Sequence, residues 1–176
     1  PKTLEVFLEH IQGYVDGKLP DYAKGKAYNL GIIDKAVTVS PADIDLACYC
    51  TECRRLWDDK GGQSGSASKV MAMFVDKLAG EIKKRWPDQG FTVIYLPYKN
   101  YQAAPEGFKF PGSVEVQICG MPGMACYKEP SIRDREQANI DSWVEISGRK
   151  IQGWDYSCWP ADKTYAAYQY PHVVKD

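Results

Sequence analysis

Histidine is scarce in this chain, with two in 176 residues. A Ser-His or Cys-His nucleophilic centre therefore has little to draw on. His10 falls in a helical pattern, and neither His10 nor His172 belongs to a nucleophile motif. An excess of one charge is also missing. Lys and Arg number 22 against 23 Asp and Glu, for a formal net charge of −1. Basic residues are scattered, without runs of like charge, which argues against a phosphate-binding surface and hence against nucleic acid as a partner. No stretch approaches the ~20 apolar residues of a membrane span. Gly61-Gly62-Gln63-Ser64-Gly65 lacks the G-x-x-x-x-G-K-[ST] order of a phosphate loop and does not directly follow a strand. It reads instead as a flexible lead-in to a helix. The chain opens on Pro1 with neither an initiator Met nor a signal peptide. It reads as a processed or excised segment, so the missing signal says little about compartment.

What is present suits one domain spanning residues 1–176 by the length prior of roughly 100–200 residues. Apolar residues make up 44% of the chain, enough for a core. Five Trp and twelve Tyr are many for this length, and several fall in segments read as loops. Aromatic rings stack on the apolar faces of sugars as well as filling cores. Without a basic surface, sugars are the favoured partner.

The pattern along the chain alternates helices and strands. Thr3 caps a helix whose apolar face is Leu4, Phe7, Leu8, Ile11 and Val15, with Gly17 as its terminator. Residues 18–31 read as loop, and the first strand as about Lys35–Ser40. Ala67, Val70, Met71, Phe74, Val75, Leu78 and Ile82 follow helical spacing up to Trp86, where Pro87 forbids extension. Phe91–Leu96 is a nearly continuous apolar run, the pattern of a buried strand. A Pro/Gly-rich connection of about 15 residues follows Tyr98, and long connections of this kind are often functional. In Val114–Cys119, Val114, Val116 and Ile118 alternate with Glu115, Gln117 and Cys119. Ser131 and Asp134 resemble a capping box opening a helix with Ile132, Ile140, Trp143, Val144 and Ile146 on its apolar face. Lys150–Tyr156 is the last strand. Strands joined by helical crossovers are parallel and their crossovers right-handed. A strand with one polar face suits a barrel lumen. Four strands cannot close a (β/α)8 barrel of ~250 residues. The expectation is an α/β fold, a partial TIM barrel comprising its carboxyl-side half with about four parallel strands. A compact open sheet is the alternative. The amino-terminal remainder of the barrel is then a partner of this segment.

The most informative stretch is Val39–Cys53, where the first strand ends in a loop carrying Asp43 and Asp45 and then three thiols, Cys48, Cys50 and Cys53, at C-x-C-x2-C spacing. Ligand sites of α/β sheets lie past the carboxyl ends of strands. Three thiols in one loop suit zinc, which takes about four Cys/His ligands in structural sites, the fourth coming from Cys119, Cys126, Cys158 or His172. One or more disulfides in an exported protein, or reduced buried thiols, are the competing readings.

Val-Ser-Pro-Ala-Asp, Cys-Tyr-Cys-Thr-Glu-Cys, Gly65-Ser66-Ala67-Ser68, Trp86-Pro87-Asp88, Ile-Tyr-Leu-Pro-Tyr and Trp154-Asp155-Tyr156 occur in that order. Over residues 36–172 they resemble an uncharacterised family of bacterial domains from polysaccharide-degrading organisms. Its members are similar to glycoside hydrolase (β/α)8 barrels of the hexosaminidase and α-glucuronidase kind. The resemblance matches Asp43, the three thiols and Trp154-Asp155-Tyr156 to the family's pattern; Asp45 is not part of it. It implies a carbohydrate-active domain in a secreted or periplasmic protein.

Glycoside hydrolysis needs two carboxyl groups, roughly 5–5.5 Å apart for retention or 6.5–9.5 Å for inversion. Asp43 and Asp155, each following a strand, are the candidate pair. Trp154 and Tyr156 flank Asp155, where their rings would desolvate it. Glu115 is the alternative acid if it lies near the top of its strand. A turn or helix cap is the plain reading of Asp43, and a solvated edge residue that of Glu115. Tyr98, Tyr101, Trp154, Tyr156 and Trp159 would form a sugar-stacking wall, or else fill the core. The alternative function is a non-catalytic carbohydrate-binding scaffold with a zinc or disulfide cluster.

Overall fold

The structure, a computed structural model, describes residues 2–18, 32–41, 43–58, 61–119 and 129–154. Helix α1 (Lys2–Val15) is followed by strands β1 (Ile32–Ile33) and β2 (Ala36–Val39) and two short helices, α2 (Thr51–Leu56) and α3 (Gly62–Gly65). Helix α4 (Ser68–Arg85), strand β3 (Thr92–Tyr95), a 3₁₀ turn (Lys99–Tyr101), strand β4 (Val114–Cys119), helix α5 (Pro130–Ser147) and strand β5 (Gln152–Trp154) complete the order. The five strands form one sheet in sequence order, β1-β2-β3-β4-β5. Strands β2 to β5 are parallel, and β1 adds an antiparallel edge through Ile32↔Val37 and Ile33↔Ala36. Both residues of that hairpin turn, Asp34 and Lys35, have positive φ. Such a two-residue turn follows the right-handed twist of its strands.

Period-2 alternation decides which way each strand faces. Val37 and Val39, Val93 and Tyr95, and Val114, Val116 and Ile118 are all buried in one cluster with the apolar sides of α1, α4 and α5. The strand register puts Val37, Val93 and Val114 side by side, and Val39, Tyr95 and Val116 in the next row. The intervening positions Thr38, Thr92, Ile94, Glu115 and Gln117 are only half-buried. Helices cover one face of the sheet, and among the described residues the other face has no helix over it. Each fully buried aliphatic or aromatic side chain contributes about 1.5–3 kcal/mol through lost apolar exposure, so the covered face dominates stability.

The helices follow their periodicity closely, although α1 begins at Lys2, so Thr3 lies inside the helix and does not cap it. Leu4, Leu8 and Ile11 of α1 are buried, as are Met71, Val75, Leu78 and Ile82 of α4. Gly17 takes φ +66°, the left-handed conformation that ends a helix without a Cβ penalty. Helix α5 departs from expectation in two ways. It begins at Pro130 with Glu129 as N-cap, and no side chain caps it, so Ser131 lies inside the helix. Proline suits that first position because its missing N–H would have no helical partner. Val144 is exposed, while Trp143 and Ile146 carry the buried side.

The connection between β3 and β4 has no crossover α-helix. Aromatic side chains take that role. Tyr95, Phe110 and Trp143 pack together, with Phe110 stacked on Trp143 at 6.5 Å and Tyr95 edge-on to Trp143 at 5.7 Å. Trp143 Nε1 donates to the Gln102 carbonyl at 2.9 Å, fastening the connection to α5. Burial pushes the Tyr95 phenol well above its ordinary range, with Tyr101 adding to the shift.

Candidate functional site at the strand ends

Two loops leave the carboxyl ends of β2 and β3, and one side chain ties them together. Asn100, 6% exposed, donates from Nδ2 to the Leu46 carbonyl at 2.9 Å, and its Oδ1 accepts from the Leu46 N–H at 2.9 Å. The Asn100 carbonyl also accepts from the Ala67 N–H at 2.8 Å, at the start of α4. One residue of the 3₁₀ turn thus holds the β2 loop, the β3 loop and the head of α4. A pair of intramolecular hydrogen bonds is worth on the order of 2 kcal/mol net.

Beyond Leu46 the three thiols converge. Cys48, Cys50 and Cys53 are free, and their sulfurs lie within 4.8 Å of one another. The local chain explains this. Cys48 and Cys50 sit two apart, and Cys50 is in extended backbone. Cys50 is the N-cap of α2, and its sulfur accepts from the Cys53 N–H at 3.5 Å. The first helical turn thereby folds Cys53 back onto the pair. The Cys48 thiol donates to the Cys50 sulfur at 3.5 Å. The Cys53 amide, then the Cys48 and Cys53 side chains, hold the Cys50 thiol below its ordinary value. Cys53 is pushed up to about 12 by its hydrogen bond with Cys48, by burial and by Cys50. Of these two thiols the exposed cap sulfur of Cys50 gives up its proton the more readily.

Asp43 lies in the same loop, exposed, with its carboxylate 3.7 Å from Lys99 Nζ. Lys99 Nζ also stands over the Tyr98 ring at 5.1 Å. Lys99 takes φ +51°, a left-handed conformation that disfavours a side chain with a Cβ. Asp45 is exposed. Tyr98 is half-buried beside this corner, whereas Tyr101 is wholly buried. Tyr101 is therefore a core residue with no ring face left for a sugar, because the 3₁₀ turn carries it inward.

Glu115 sits on the uncovered sheet face, half-buried, at the second position of β4 rather than at the strand's carboxyl end. It pairs with Arg149 Nη1 at 3.4 Å and accepts from Gln152 Nε2 at 3.2 Å. The left-handed Gly148 ends α5, and Arg149 then reaches across to β4, where Nη2 also donates to the Val114 carbonyl. Asp43 and Glu115 thus each face their own cation, on different elements. Asp155, Tyr156 and Trp159 lie outside the described residues. So do Cys126, Cys158 and His172, which with Cys119 were the candidates for a fourth thiol-site ligand. Cys119 and Trp154 are described by backbone alone, paired across β4 and β5.

A cleft of about 550 Å³ opens between α2, the head of α4 and residues 103–106. Arg55, Trp57, Asp58, Lys69 and Glu106 line it, two cations and two acids around one indole. Sequence reasoning missed these residues, and Asn100 and Lys99 as well. The one signal available was their position in the long segments after two strands.

A family model described as a domain of unknown function, DUF4838, matches residues 1–172, and the chain belongs to that family. No curated protein and no solved structure matches it.

Proposed function

We propose that this member of the DUF4838 family is a carbohydrate-active segment of a (β/α)8 barrel, completed by strands outside it, that hydrolyses glycosidic bonds in the intact protein. The observation that carries the reading is the winding of the sheet. Parallel strands β2 to β5 are added in sequence order, with helices on one face and a half-buried face bearing Thr38, Glu115 and Gln117 on the other. A barrel wall is wound in the same way, with parallel strands added in order and helices outside. The loops after β2 and β3 would then form part of the catalytic rim, and the 550 Å³ cleft between them, lined by neither Asp43 nor Tyr98, would hold sugar units away from the Asp43 corner. Its mixture of one indole with acids and cations suits a ligand that offers both hydroxyls and an apolar face.

Asp43 and Asp155 are the proposed catalytic carboxyls. Asp43, solvent-facing and opposite Lys99, fits the group that works as a carboxylate, and Asp155 the proton donor. Tyr98, Trp154, Tyr156 and Trp159 would supply stacking surface, and Glu115 a hydrogen-bonding floor held by Arg149. A second reading, a carbohydrate-binding scaffold without catalysis, draws on the separate ion pairs of Asp43 and Glu115. The protein in its natural full-length form, screened against oligosaccharides for release of reducing ends, tests the first reading. Asp43→Asn and Asp155→Asn should each lower turnover by about 10²–10⁴-fold, the usual worth of a positioned proton-transfer group, with folding unchanged. Near wild-type turnover in both would remove the pair from the mechanism. Sugar binding without cleavage by the wild-type protein would favour the scaffold.

A further inference from the structure

The three thiols in the segment after β2 are not used by the hydrolysis proposed above, and their geometry calls for a separate explanation. We infer that Cys48, Cys50 and Cys53 hold a single zinc ion through three thiolates. The inference does not depend on the hydrolytic reading. Zinc–thiolate bonds of ~2.3 Å place sulfurs about 3.8 Å apart around a tetrahedral ion. Here all three sulfurs lie within 4.8 Å of one another and Cys48 and Cys50 are 3.5 Å apart. Shifts of a few tenths of an ångström to about one ångström bring them onto one ion. Such shifts need only side-chain rotation.

The surroundings define what kind of site this is. Cys48 and Cys53 are half-buried and Cys50 is exposed, so the tripod is shielded on one side and open on the other. Among the described residues no further His, Cys, Asp or Glu joins the group. Three soft sulfurs select a thiophilic ion over magnesium or calcium. Three thiolates and one divalent ion leave a net negative charge; Arg54 and Arg55 lie in the last turn of the same six-residue helix, Arg54 over the Tyr49 ring and Arg55 paired with Glu52 at 3.5 Å. The ion would join the extended segment before α2 to the first turn of α2, on the same loop that Asn100 anchors at Leu46. It would therefore brace the turn from Cys48 to Cys53 locally, a few residues beyond the Leu46 anchor.

The rival arrangement is a dithiol. Cys50 and Cys53 form a C-x2-C pair at the start of a helix, a placement that redox-active cysteines also use. The third thiol, bonded to the first, is what a dithiol does not require and a metal tripod does.

The full chain, expressed with zinc in the medium and purified under reducing conditions, should carry one zinc per molecule by elemental mass spectrometry. Cys50→Ser should carry none. That substitution changes an exposed side chain and keeps a hydroxyl to cap the Cys53 N–H, and circular dichroism checks that the variant folds. The wild-type chain supplies a readout that needs no variant. After chelator stripping and reduction, added cobalt(II) should give intense sulfur-to-cobalt charge-transfer absorption, and zinc should displace it. Hydrogen exchange across residues 43–56 should slow when zinc is restored. Absence of both bound zinc and the cobalt band overturns the inference, as does undiminished zinc in Cys50→Ser. A disulfide among these three thiols, found by mass spectrometry of protein isolated without reductant, also overturns it.

Discussion

The two loops at the carboxyl ends of β2 and β3 are built by opposite means. The β3 loop is held by bulk: Tyr95, Tyr101, Phe110 and Trp143 are buried beneath it, and its apolar side chains do the work of a missing crossover helix. The β2 loop carries Asp43, Asp45 and three thiols, and helix α2 beyond it has no buried residue. It stays in place through Asn100, reaching from the other loop. One loop is stable on its own account, and the other borrows a polar anchor from it. Reactive groups belong on the second kind, since a loop that must expose thiols and carboxylates cannot also bury much apolar surface.

Removing the largest buried ring should break the comparison from the packed side. Trp143→Ala deletes the indole between Tyr95 and Phe110 and the hydrogen bond to Gln102. A loss of about 3–5 kcal/mol is expected for such a truncation, read as a lower denaturant midpoint at an unchanged slope. Unaltered stability would mean that the aromatic cluster is not what holds the β3 loop.

Cutting the tie between the loops should do less, and locally. Asn100→Ala leaves the Leu46 N–H and carbonyl without their side-chain partner, at a cost of on the order of 2 kcal/mol. Hydrogen exchange should rise across residues 43–50 while the amides of β3 and β4 stay protected. Equal deprotection of both regions would show the two loops to be one cooperative unit.

The smallest effect is chemical. In the reduced, metal-free chain, Cys50 should alkylate fastest, and its advantage over Cys53 should widen as pH falls. A lowered thiol pKa keeps thiolate present at pH values where an ordinary cysteine is protonated, whereas Cys53 holds its proton until about pH 12. The two shifts act on stability with opposite sign: the lowered value of Cys50 favours the fold at high pH, a gain lost as pH falls through it, whereas the raised value of Cys53 favours the fold at lower pH, a gain lost as pH rises toward about 12. Peptide mapping after brief alkylation at several pH values reads the order, and faster labelling of Cys53 would contradict it.

Much of this was open to reading in one dimension. Helices α1 and α4 follow from apolar residues at helical spacing, and β3 and β4 from an apolar run and a clean alternation. Parallel pairing follows from the length of the connections. The convergence of the thiols is also local, because Cys50 caps α2 and the first helical turn brings Cys53 back to it. What the residue pattern alone determined, then, was set by neighbours within a few positions: the type of the three long helices and of β2 to β5, most of their buried faces, and the three-sulfur corner. Tertiary structure alone decided that Tyr101 is buried while Tyr98 stays half open, that Asn100 spans to Leu46 fifty-four positions away, and that Glu115 meets Arg149 instead of another carboxyl. Those outcomes depend on which side chains the folded sheet brings across from distant elements. No short-range pattern encodes that, because a tyrosine or a glutamate has the same local preferences whether the chain later covers it or leaves it facing water.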